Sequence, residues 1–88
     1  MRLVSQDGRE DIPYEKVLIE IQSFHSNDEF RINAITDGLA ISMAKYSSME
    51  KAEKVLEDMR NKYLEKTWNY PKVFRFPQDD EEFYDKED

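Results

Sequence analysis

Residues 30–46, FRINAITDGLAISMAKY, decide the fold because they form the pattern of two strands joined by a two-residue turn. Asp37-Gly38 stands at the centre, and Asp-Gly is a preferred pair for type I′ turns, in which both central residues have positive φ. Pairing outward from this turn places the apolar side chains of both strands on one face. The predicted pairs are Thr36–Leu39, Ala34–Ile41, Ile32–Met43 and Phe30–Lys45. A one-residue slip would reverse the faces, so the pattern predicts this register.

An amphipathic helix is predicted directly after the hairpin, ending near Lys66. Ser47 is the expected N-cap and Glu50 the third helical residue, which is the capping-box pattern. Apolar residues recur at helical spacing and form a single stripe. The stripe consists of Met49, Ala52, Val55, Leu56, Met59 and Tyr63. Pro71 biases Tyr70 towards an extended conformation, so the helix is expected to stop before it.

Shorter strands are predicted on both sides of these two elements. Residues 1–6 form one candidate, followed by a type I′ turn at Asp7-Gly8. Residues 17–22 show the apolar alternation of a half-buried strand. Residues 71–77, PKVFRFP, read as a last short strand with Phe74 and Phe76 on one face.

Together these elements predict an α+β fold. We expect a small antiparallel sheet, a meander of three to four strands plus a C-terminal strand, with one amphipathic helix packed on one face. The docking of the C-terminal strand stays open at this point. It can add to the sheet of its own chain or cross to a second chain, by which small proteins gain core.

The negative charge is concentrated at the C-terminal end. The 88 residues carry a formal net charge of −7. Residues 78–88 contain seven acidic residues against Lys86, whereas residues 1–77 hold thirteen acidic residues against twelve basic ones. We therefore predict one domain over residues 1–77 and an acidic, disordered tail over residues 78–88. Because the domain has no basic excess, direct binding of nucleic acid is not expected.

Composition and motifs argue against several other functions. The chain has no cysteine, one histidine (His25) and two glycines, both in predicted turns. No phosphate-binding loop, nucleophile elbow or zinc-protease motif is present. We expect no enzymatic activity, no cofactor and no metal. No stretch resembles a signal peptide or a membrane span, so the expected location is the cytoplasm of the host cell.

Three segments together resemble a known group of proteins. They are MRLVSQDG with PYE soon after it, AKYSSMEKAEKVLEDMRNKY, and VFRFPQDDE. The chain resembles small uncharacterised proteins encoded by phages and prophages of Gram-positive bacteria. The resemblance implies a phage-derived origin and a compact α+β fold. It implies no site residue, because the shared motifs are a hairpin turn, a capped helix and a closing strand.

Six aromatic residues are the candidate partner-binding residues. Four lie in residues 67–77, TWNYPKVFRFP, and two lie in the acidic tail; they are Trp68, Tyr70, Phe74, Phe76, Phe83 and Tyr84. The first four either complete the core or form an interface, with another protein or with a second copy in a homodimer. The tail is either a solvated end or a recognition segment in which the aromatic pair enters a pocket of a basic partner. Mimicry of DNA by the acids and weak divalent-metal binding by residues 79–82 are further alternatives.

These observations lead to one functional hypothesis and one alternative. The hypothesis is a non-enzymatic protein of phage or prophage origin that acts through contacts with an unknown protein partner or through self-association. The alternative is an acidic, DNA-mimic-like inhibitor of a host nucleic-acid-binding protein.

Overall fold

The computed structural model describes residues 1–65 and 72–79, which fold as an α+β domain. The predicted fold class is therefore confirmed. The elements within the described residues are β1 (Arg2–Val4), β2 (Asp11–Pro13), β3 (Leu18–Phe24), β4 (Glu29–Thr36), β5 (Leu39–Tyr46), α1 (Met49–Leu64) and β6 (Val73–Arg75). Short 3-10 turns occupy residues Tyr14–Lys16 and His25–Asn27.

The strands form two three-stranded sheets. One is the antiparallel meander β3-β4-β5, and the other has the order β2-β1-β6. In the second sheet β2 lies antiparallel to β1, whereas β6 lies parallel to it. The C-terminal strand, whose position the sequence left open, thus pairs with the first strand of its own chain.

The hairpin of β4 and β5 turns at Asp37-Gly38, as predicted. Asp37 has a φ of 51° and Gly38 a φ of 77°, both in the left-handed region that a type I′ turn requires. Near the turn the predicted register is confirmed, because Thr36 lies opposite Leu39 and Ala34 opposite Ile41. The second turn differs from its prediction: at Asp7-Gly8 only the glycine has positive φ (76°), so that turn is not of type I′.

Away from the turn, the predicted register of the hairpin is wrong by one residue. The pairing shifts between Ile32 and Asn33, so Ile32 lies opposite Ala44 and Phe30 opposite Tyr46. The shift is a β-bulge in β5, where one extra residue changes which side chains face the core. Without it Lys45 would lie opposite Phe30 on the buried face. With it the buried position goes to Tyr46, which is 2% exposed.

The helix α1 covers the apolar face of the meander, in contact with β4 and β5. Its predicted stripe is buried at Ala52, Val55, Leu56 and Met59, while Met49 and Tyr63 at the two ends are more than a third exposed. Ser48 is the N-cap, and its hydroxyl accepts from the backbone N–H of Lys51 at 3.1 Å. The prediction of Ser47 as N-cap is therefore wrong by one residue.

A single apolar core joins both sheets and the helix. Leu3 of β1, Ile32 of β4 and Val55 of α1 all have fully buried side chains within it. Phe76, just beyond β6, is 3% exposed and belongs to the same cluster. The two sheets are thus parts of one domain, and the C-terminal segment contributes to its core.

Candidate functional site

The C-terminal segment, residues 72–79, crosses the domain alongside β1. The backbone N–H of Arg2 donates to the carbonyl of Lys72 at 2.9 Å, and the N–H of Phe76 donates to the carbonyl of Val4 at 3.0 Å. These two bonds hold the segment at both ends of β1. The candidate aromatic residues of this segment are therefore placed by strand pairing within one chain.

Phe74 and Phe76 pack on the core of their own domain. Their rings meet edge to face, with the centroids 5.2 Å apart. Phe76 is buried and Phe74 is partly buried against the core cluster, which favours the core-completing interpretation of these two residues. Trp68 and Tyr70 lie outside the described residues, so an interface at that stretch stays a prediction.

Gln6 closes the bulge of β5. Its backbone N–H donates to the carbonyl of Met43 at 2.8 Å. Its side-chain oxygen accepts from the backbone N–H of Lys45 at 2.9 Å, and its Nε2 donates to the carbonyl of Lys45 at 3.1 Å. A bulge leaves ladder groups unpaired, and Gln6 supplies their partners.

Gln6 also bonds the C-terminal segment. Its Nε2 donates to the carbonyl of Pro77 at 2.9 Å, and the hydroxyl of Tyr46 donates to the same carbonyl at 2.7 Å. In return, Nε2 of Gln78 donates to the carbonyl of Gln6 at 2.7 Å. The side chain of Gln6 therefore connects the bulge of β5 in one sheet to Pro77, which follows β6 of the other sheet.

Asp79 completes the attachment at the start of α1. Its Oδ1 accepts from the backbone N–H of Ser47 at 2.9 Å and from the hydroxyl of Ser47 at 3.2 Å. The ammonium group of Lys51 lies 3.4 Å from the same oxygen and 3.0 Å from the carbonyl of Asp79. We call the contacts that Gln6, Tyr46, Ser47 and Lys51 make with residues 77–79 the C-terminal anchor.

The anchor lowers the pKa of Asp79 below its ordinary value of 3.8. Partial burial acts in the opposite direction and is the largest single influence. The hydrogen bonds from the backbone and hydroxyl of Ser47, together with the charge of Lys51, outweigh it. A group whose pKa is depressed by folding stabilises the folded state when it is ionised. Its contribution is lost as the pH falls through the folded-state pKa.

Asp79→Asn is expected to lower the free energy of unfolding by about 0.5–1 kcal/mol at neutral pH, because a charge near a helix N-terminus and a partly exposed ion pair are lost. The difference from the wild type should be full above about pH 5 and should vanish as the pH falls through the lowered folded-state pKa, where Asp79 itself becomes neutral. Urea unfolding at a series of pH values measures this. A difference that persists unchanged at the acidic end would contradict an ionised Asp79 in the anchor.

The anchor includes the first residues of the predicted tail. Gln78 and Asp79 are bonded to the domain, and the remaining tail residues, with Phe83 and Tyr84 among them, lie outside the described residues. The division at residue 78 and the disorder of the tail stay predictions.

The loop between β1 and β2 brings a serine and a carboxylate together. The hydroxyl of Ser5 donates to Oδ1 of Asp7 at 2.6 Å, and the backbone N–H of Arg9 donates to the same oxygen at 3.0 Å. The bond from Ser5, followed by that from Arg9, lowers the pKa of Asp7. A carboxylate with a lowered pKa is a weak base, so this pair is suited to closing the loop rather than to activating the hydroxyl.

Metal-binding clusters and membrane-spanning helices are both absent from the residues that the structure describes. Within residues 1–65 and 72–79, no three histidine, cysteine or acidic side chains gather into a group that could hold a metal ion. In the same part of the chain, no helix has the length and apolar character needed to cross a membrane.

Comparison with known proteins gives no relative. No protein-family model matches the chain, and neither a curated protein nor a solved structure matches it.

The sequence did not reveal the residues that form the anchor. Gln6 belongs to no motif. Tyr46 follows Lys45 in the chain, and strand alternation predicted that Lys45, not Tyr46, would lie on the buried face. Ser47 was recognised as a residue at the helix start, but its partner lies 32 positions further on. The only local signal was the acidic run that begins at Asp79, and nothing in the run indicated that its first member binds the domain.

Proposed function

We propose that this is a non-enzymatic, phage- or prophage-derived protein that acts through protein–protein contacts, with the acidic residues after the anchor as its binding element. The observation that supports this is the anchor itself. It bonds residues 77–79 to the β1–β2 connection, to β5 and to the first turn of α1. The acidic run therefore starts from a point held by the folded domain, so a partner bound by the run would be tethered to the domain.

The residues after Asp79 define the chemistry of the partner. Residues 80–88, DEEFYDKED, hold six acidic residues against one lysine, with Phe83-Tyr84 among them. Acidic groups steer association with a basic surface, whereas buried aromatic side chains supply most of the affinity at an interface. The proposed partner is a host protein with a basic surface and an apolar pocket wide enough for an aromatic ring. A chain without cysteine is compatible with the reducing cytoplasm as the place of action.

The test compares three full-length baits in lysate of a Gram-positive bacterium, with the retained proteins identified by mass spectrometry. They are the wild type, the double variant Phe83→Ala/Tyr84→Ala, and a variant in which the six acidic residues after Asp79 become Asn or Gln. We expect a partner of the wild type to be lost from the aromatic double variant and reduced on the neutralised one. Thermal unfolding of each bait controls for damage to the domain.

The same three baits distinguish the proposed function from the alternative, inhibition of a nucleic-acid-binding protein. An inhibitor that mimics nucleic acid by charge should keep its partner on the aromatic double variant, lose it on the neutralised variant, and bind less at higher salt concentration. Retention of the same proteins by all three baits would contradict both functions, because it would place the contact away from the acidic run.

A further inference from the structure

The two sheets formed by residues 1–65 and 72–79 have four edges, which differ in how well they are protected. The edge strands β2 and β6 are three residues long, and β2 contains Pro13, which cannot donate to a ladder. The edge of β5 is interrupted by its bulge and bonded there by Gln6. Short strands, prolines, bulges and covering groups are the usual means by which proteins block pairing at an edge.

The remaining edge, that of β3, has none of these protections among the residues that the structure describes. It is seven residues long, LIEIQSF, with Glu20 as its one charged residue and neither glycine nor proline. One side of β3 pairs with β4 along its whole length. In the described part of the chain, no backbone group bonds to the other side of β3. A long, regular and mainly apolar edge of this kind is a template for pairing with another strand.

We propose that β3 pairs with β3 of a second copy of this chain, antiparallel and about a two-fold axis at Ile21. Ile21 is the middle residue of the strand, so this axis pairs all seven residues. The opposed pairs are then Leu18–Phe24, Ile19–Ser23, Glu20–Gln22 and Ile21–Ile21. The strand is complementary to itself in this register, because each glutamate meets an amide and no like charges oppose each other. The two meanders become one six-stranded sheet.

The side chains of β3 gain cover on both faces of this joined sheet. On the outer face Leu18, which is 71% exposed, meets the Phe24 ring of the other copy. On the inner face Ile19 and Ile21 are only partly buried within one chain, and the two copies of Ile21 meet each other. Apolar side chains directly opposite each other on neighbouring strands stabilise a sheet. A two-fold axis at Glu20 would instead oppose two carboxylates.

Two substitutions of opposite charge at Gln22 test the register. Gln22 is exposed and lies opposite Arg31 of β4 in its own chain, so Gln22→Glu preserves a favourable neighbour in the monomer. In the dimer the new glutamate of each copy lies opposite Glu20 of the other copy, which gives two pairs of like charges. We therefore expect the dissociation constant of the dimer to rise on the order of tenfold. Gln22→Lys should lower it, because the lysine lies opposite Glu20 of the other copy. Within its own chain this lysine faces Arg31 and no longer accepts from the amide of Asn33, so thermal unfolding of the variant controls for damage to the domain. Sedimentation equilibrium over a range of protein and salt concentrations measures both changes.

Single cysteines give a second measurement, because the chain has no cysteine of its own. Ile21→Cys places two thiols opposite each other at the axis, so a short bifunctional thiol reagent should yield a covalent dimer. Leu18→Cys is the matched control, since its two copies stand six residues apart along the ladder, about 20 Å. Three outcomes would each overturn the proposal. The protein could stay monomeric at high concentration, the two cysteine variants could cross-link equally, or the two charge variants could shift the equilibrium in the same direction.

Discussion

Phe76→Ala is expected to lower the free energy of unfolding by about 3–5 kcal/mol, the range for truncating a fully buried aromatic side chain. Phe76 lies beyond the last strand, yet its side chain is 3% exposed and packs in the cluster that joins both sheets to the helix. A domain of this size has a stability of only about 5–10 kcal/mol, so the change removes a large part of it. Urea unfolding, followed by circular dichroism, measures the loss.

Arg75→Ala is the matched control for this prediction. Arg75 is the neighbour of Phe76 in the same segment but is exposed, and surface substitutions of this kind usually change stability by less than about 0.5 kcal/mol. A small loss for Arg75→Ala beside a large loss for Phe76→Ala would show that the effect comes from core packing and not from the segment in general. If the two variants unfolded at similar urea concentrations, Phe76 would have no place in the core.

Gln6→Ala is expected to cost about 1–3 kcal/mol, because three backbone groups each lose a hydrogen bond at once, of which only the carbonyl of Pro77 keeps another donor, the hydroxyl of Tyr46. These are the N–H and carbonyl of Lys45 and the carbonyl of Pro77. Water can reach part of this site, and for that reason the expected cost is well below the sum for three fully buried groups. The change should also speed amide exchange at Lys45, which nuclear magnetic resonance can follow residue by residue.

Gln6→Glu is the informative companion variant. A carboxylate still accepts from the N–H of Lys45 but cannot donate to the two carbonyls, which it repels instead. It should therefore recover little or none of the stability lost in Gln6→Ala at neutral pH. Unchanged exchange at Lys45 in Gln6→Ala would contradict the assignment of Gln6 as the residue that bonds the bulge, whereas Gln6→Glu keeps this acceptor and should leave the exchange slow.

The hairpin illustrates how far local pattern carries a prediction. Its turn and the pairs next to it follow from Asp37-Gly38 and from the alternation of apolar residues, and both are confirmed. The register beyond Asn33 could not be found in this way, since alternation has no means of choosing between Lys45 and Tyr46 for the buried position. That choice depends on the partners available to the bulge, above all Gln6, which is 39 residues away from Lys45.

For the helix, the sequence predicted the buried face correctly but placed the N-cap one residue too early. Its four central apolar residues were predicted and are buried, because a 3.6-residue period allows only one stripe to face the sheet. The N-cap was misassigned between two adjacent serines. Either side chain can cap a helix, and the structure uses the second because the first is bonded to Asp79.

The sequence by itself determined the fold class, the hairpin turn, the buried stripe of the helix and the concentration of acid at the C-terminal end. These features follow from interactions between residues close in the chain: turn sterics, side-chain periodicity and local charge. Only the tertiary structure decided where β6 pairs, that Phe76 enters the core, and that residues 77–79 are fixed to the domain. The contacts responsible join residues 28 to 72 positions apart, and such pairs leave no local pattern because their geometry exists only after the chain has folded.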